Sequence, residues 1–190
     1  MSLSRLSGSF LVLGFLLMVA GALLYLTRGE AATDMMGSTR FVLERGFLMA
    51  AVIVTAVGLL LLEEYLRDSG GHPLVRIGAI LYLFGGILIV AAEAIWLSQG
   101  GHTYSLTVVY VTLAFLGQAA IGAGLTRSTL LPTSIGWMTL TWSLAWLIIL
   151  PIVTPGEMYF PGLHHLMPLI IGIPLMAKGP PLTNPQQPSD

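Results

Sequence analysis

The chain alternates between long apolar runs and short polar breaks. Six runs, at approximately 8–26, 47–65, 77–98, 105–125, 134–153 and 162–177, carry few or no charges. About 20 apolar residues in a helix, rising about 1.5 Å each, cross about 30 Å of hydrocarbon. The runs are continuous rather than alternating, which argues against the strands of a lipid-facing barrel. They predict an all-α polytopic membrane protein, a bundle of six transmembrane helices in one domain. The sixth run is the shortest and contains Pro168 and Pro174.

The breaks are short except for two. Residues 27–45 form a polar loop whose end merges into helix 2. Residues 66–76 are a turn-rich link broken by Gly70, Gly71 and Pro73. The transmembrane domain is therefore expected over 1–178. The stretch 179–190, Pro-rich and polar, reads as a disordered tail. Arg5 and the triplet Ala20-Gly21-Ala22 mimic a secretory leader, but the run continues through Leu26, so helix 1 is read as retained. Offset by 71 residues, Arg5, Gly14, Leu17, Val19 and Ala20 match Arg76, Gly85, Leu88, Val90 and Ala91. This repeat is read as shared apolar composition rather than as duplication.

Positive residues near helix ends set orientation. With six spans, Arg5, Arg67, Arg76, Arg127 and Lys178 fall on one side, and Arg28, Arg40 and Arg45 on the other. The bias places both termini in the cytoplasm. Small residues are expected to make the helix contacts, since lipid supplies no hydrophobic drive for association. Gly14 and Gly21 on helix 1, Gly85 and Gly86 on helix 3, and Gly117, Ala120 and Gly124 on helix 4 are the candidates.

Composition sharpens this picture. Hydrophobic residues make up 55% and charged residues 9%, against about 25% charged in a soluble domain. The chain cannot clothe a soluble globule. Its net charge of -1 and lack of a basic face exclude a nucleic-acid partner. With no cysteine, disulfides, thiolate metal sites and cysteine nucleophiles are excluded.

The candidate chemistry lies toward the outer side. Glu93 reads as the one carboxylate well inside a span, where an ionisable group must find polar company. Arg45, at the outer end of helix 2, is its expected partner. His164 and His165 open helix 6, and Pro168 frees the carbonyl of His164. Glu93, Arg45, His164 and His165, walled by Trp96 and Trp146, form a candidate ligand pocket for a quinone, acyl chain or other amphiphile. His102, Glu157, His164 and His165 form a candidate metal set, since imidazole and carboxylate suit zinc, copper or iron. Adjacent histidines diverge by about 100° on a helix, so the plainer reading is interfacial hydrogen bonding. Gln118 reads as an interhelical hydrogen bond, and Trp142 with Trp146 as a packing pair. The residues name no cofactor, and no Ser-His-Asp set, phosphate loop or dinucleotide fingerprint is present.

The stretch from Gly124 to Trp137, GLTRSTLLPTSIGW, resembles an element of uncharacterised small bacterial six-span integral membrane proteins, a domain of unknown function. There a Gly-Leu-x-Arg-Ser pattern ends one helix, and Leu-Pro-x-x-x-Gly-Trp opens the next. The resemblance implies a multi-pass protein of the bacterial inner membrane. It carries no activity with it. The expected role is a non-catalytic subunit or assembly factor of a larger membrane complex. The alternatives are a protein binding or transporting a lipid, quinone or amphiphile through an outward pocket, and a metal-dependent membrane enzyme. Membrane lipids and other membrane subunits are the expected partners.

Overall fold

The computed structural model describes residues 2–27, 38–100, 103–156 and 162–178. Within them the chain is all-α, and five helices are long and apolar enough to cross a membrane. They are α1 (Leu3–Leu26), α2 (Thr39–Tyr65), α3 (His72–Gln99), α4 (Tyr104–Leu125) and α5 (Thr133–Val153). A 3-10 turn (Leu163–His165) leads into the short α6 (Leu166–Ala177). The expected tail over 179–190 lies outside the described residues, as do His102 and Glu157.

The helix ends follow local chemistry. The Ser2 hydroxyl accepts from the Arg5 amide at 3.4 Å, and the Ser38 hydroxyl from the Phe41 amide at 3.2 Å. Each caps an N-terminal turn whose amides have no partner within the helix. Pro73 sits in the first turn of α3, where no amide is missed. Gly100 ends α3 with φ 73°, a left-handed conformation that glycine adopts without strain.

The helices pack as two units. In one, α1 lies between α2 and α6; in the other, α4 lies between α3 and α5. The α2–α3 contact joins the units, and α5 meets α6 only slightly. Small residues make the close seams. A side chain at Gly117 would lie 2.6 Å from the Gly78 carbonyl oxygen, and one at Gly124 2.7 Å from that of Gly71. The working spacing on α4 is thus seven residues, from Gly117 to Gly124, with Ala120 only half-buried. Gly122, on another face of α4, receives α5 at Gly136. Gly14 and Gly85, matched in the faint repeat, each face their own hairpin partner, α2 and α4.

One end of the bundle gathers both ends of the described chain. Arg5 Nε donates to the Lys178 carbonyl at 2.8 Å. Lys178 Nζ donates to Tyr65 Oη at 3.1 Å and to the Leu130 carbonyl. Arg67, Arg76 and Arg127 lie at or beside the two links that meet there, so this end is basic. At the opposite end Arg40 donates to the Thr27 carbonyl at 2.7 Å, and Tyr104 Oη to that of Pro155, also at 2.7 Å.

Candidate functional site

Arg45 is in the second turn of α2 and Glu93 in the last two turns of α3. Antiparallel packing brings them level, and Arg45 Nη1 donates to both Glu93 oxygens, at 3.3 and 3.4 Å. The pairing expected from sequence is present. A second carboxylate joins it. Arg45 Nη2 donates to Glu44 Oε1 at 2.5 Å, and Glu44, Arg45 and Glu93 are 0, 5 and 3% exposed. Glu93 is therefore one of two interior carboxylates here. The Trp96 ring lies 4.3 Å from the guanidinium carbon and the Phe41 ring 5.3 Å. The two rings meet edge-on at 5.2 Å. The cation thus has two carboxylates and two aromatic rings as neighbours, both kinds of partner that a guanidinium favours.

A second polar group lies where the 3-10 turn meets α4. His164 Nε2 is 2.9 Å from Tyr110 Oη, and Tyr110 Oη is 3.4 Å from Tyr82 Oη. Both tyrosines and both histidines are buried. The carbonyl of His164, which Pro168 deprives of its helical donor, accepts instead from Gln118 Nε2. The carbonyl of Leu163 accepts from Trp142 Nε1 at 3.1 Å. Helices α4 and α5 therefore supply the donors that an irregular turn needs inside a membrane protein. The His164 and His165 ring centres lie 4.4 Å apart, with the rings tilted 44° to each other. Among the described residues, neither ring nitrogen of His165 has a hydrogen-bond partner.

The residues read as one outward pocket therefore fall into two clusters. Glu93, Arg45 and Trp96 belong to the α2–α3 cluster. His164 and His165 belong to the α4 cluster, and Trp146 stands edge-on to Trp142 at 5.6 Å on α5. The carbonyl expected to line the pocket is capped by Gln118. Of the candidate metal set, His102 and Glu157 lie outside the described residues. Within those residues, no group of three histidine or carboxylate side chains is placed to hold a metal ion. Sequence reasoning missed Glu44, Tyr82 and Tyr110. Glu44 fell in the stretch read as loop, yet a carboxylate beside Arg45 was a signal available there. No family model, curated protein or solved structure matches the chain.

Proposed function

We propose that this protein is a non-catalytic subunit or assembly factor of a larger membrane complex. It crosses the bacterial inner membrane six times, with both termini in the cytoplasm. One observation carries the reading: the charged and hydrogen-bonding groups of the candidate site, the His165 ring apart, are engaged with one another. Arg45 is held between two carboxylates and under Trp96. His164 is bound through ring and carbonyl, to Tyr110 and Gln118. A reaction centre or carrier site keeps such groups open to its substrate, whereas a scaffold closes them to fix helix register. The topology draws support from the basic end, where both chain ends meet, as a positive-inside arrangement requires. The sixth crossing is short: from Leu163 to Ala177 is about 21 Å of helix. The capped carbonyls of Leu163 and His164 let irregular chain lie at membrane depth.

The partner is expected at α5. That helix packs chiefly on α4 and only slightly on α6, and Leu144, Ile148 and Ile152 project outward from it. A photo-crosslinking residue at Ile148, in cells making the full chain, should capture a membrane protein in a fixed ratio. The same assembly should survive mild detergent. If the protein instead migrates alone and retains an amphiphile that a folded His164→Ala, His165→Ala variant loses, the carrier reading replaces this one.

A further inference from the structure

We propose that the groove between α2 and α3 binds an anionic phospholipid, with its phosphate at the basic end of the bundle and an acyl chain along the groove. Two adjoining clefts make up this groove. The one at the basic end holds about 530 Å³ and is lined by Leu60, Glu63, Arg67, His72, Arg76, Ala79 and Ile80. The one nearer mid-membrane holds about 400 Å³, and its lining, from Val52 to Leu60 and Leu83 to Ala94, is wholly apolar. Leu60 lines both, so the clefts adjoin at that side chain.

The groove exists because α2 and α3 meet less closely than the helices of either hairpin. Gly86 is the one glycine in the apolar stretch, and a side chain there would lie 3.0 Å from Val52. From Ile80 to Val90 is about 15 Å of helix, which is half the hydrocarbon thickness and the depth one acyl chain reaches.

Charge selects the headgroup. The basic end of the groove presents Arg67, Arg76 and His72 against one lining carboxylate, Glu63. Glu63 is already occupied, 2.5 Å from His72 Nε2. Arg67 pairs with Glu64 at 2.5 Å, but both side chains are exposed, so a phosphate can compete for the guanidinium. Arg76 has no ion pair among the described residues. It stands at the start of the second turn of α3, just after a first turn that has no acidic residue. A cation there adds to the positive end of the helix dipole, and an anion relieves it. Basic pockets between helices at a membrane face suit phosphate headgroups. The other cleft offers only apolar lining, which fixes the lipid's orientation.

The test uses the full-length protein in nonionic detergent, with bound lipid counted by native mass spectrometry. Phosphatidylglycerol and phosphatidylcholine with the same acyl chains are offered in competition. Phosphatidylglycerol should be retained preferentially. Arg76→Gln should lower its retention about fivefold, the contribution of one basic residue near an anionic headgroup, and leave phosphatidylcholine unchanged. Arg76→Lys should keep most of the preference. Arg127→Gln, at the same end but outside the groove, should change nothing. Ala91→Phe, projecting from an exposed position into the apolar cleft, should lower retention of both lipids without shifting the unfolding midpoint. Equal retention of the two lipids overturns the proposal. So does an Arg127→Gln effect as large as that of Arg76→Gln, or unchanged retention in Ala91→Phe. Displacement of phosphatidylglycerol by inorganic phosphate alone also overturns it, in favour of a free-anion site. A protein subunit that co-purifies with the wild type and is lost in Ala91→Phe assigns the groove to that partner instead.

Discussion

Arg45 organises its surroundings because it is the one cation placed between two buried carboxylates. Removing it takes away the guanidinium that both Glu44 and Glu93 bind. Breaking a buried pair from one side typically costs about 3–5 kcal/mol. Arg45→Leu should fall in or above that range when unfolding is followed in detergent. Glu93→Gln should be milder, because Glu44 still holds the guanidinium and an amide can still accept from it. A double-mutant cycle between Arg45→Leu and Glu93→Gln should show coupling; a coupling energy of zero removes the pair from the account of stability. The Arg45–Glu93 contact was legible because a carboxylate inside an apolar run must find a cation, and only one lay at matching depth. Glu44 was not, because its run of sequence is polar enough to read as loop. Tyr82 and Tyr110 escaped for the opposite reason. Within apolar runs a tyrosine reads as bulk, and only the fold brings its hydroxyl against another polar group.

At the level of the helix, hydropathy fixed the C-terminal ends of the first five helices within about two residues. Their starts lie one to eight residues earlier than the apolar runs. Helices continue past the hydrocarbon into polar chain, where Ser2 and Ser38 cap them. Which face turns inward was less legible, because a helix apolar all round has almost no moment to read. Glycine carried what signal there was, marking where backbones touch. The sixth element departs most from the expected span, and its anchoring is specific. Gln118→Leu would leave the His164 carbonyl without its side-chain donor, a loss of about 1–3 kcal/mol for a buried acceptor. The effect should be local to the element. Amide exchange across Leu163–Ala177 should quicken while α1 to α4 keep their protection. If the exchange of that segment is unchanged, Gln118 does not hold the turn in place.

For the whole molecule, the basic end ties four separate parts of the chain together. Arg5, Tyr65, Leu130 and Lys178 meet through three hydrogen bonds. The start of α1, the end of α2, the α4–α5 link and the end of α6 therefore share one end of the bundle. The proposed six crossings, with the short α6 as the sixth, require that arrangement. On the proposed topology, charge decides which face is cytoplasmic. Arg67, Arg76 and Arg127 add to Arg5 and Lys178 at this end, and basic residues near span ends are retained in the cytoplasm. The chain has no cysteine of its own, so single introduced thiols report without background. Gln99, at the end of α3, and Thr129, in the α4–α5 link, are both exposed and lie at opposite ends. In intact cells, Gln99→Cys should react with a membrane-impermeant maleimide and Thr129→Cys should stay unlabelled until the membrane is permeabilised. The reverse pattern would invert the protein, and with it assign the phosphate end of the α2–α3 groove to the outer leaflet. Labelling of both sites in intact cells would break the link between the six-crossing count and the shared basic face.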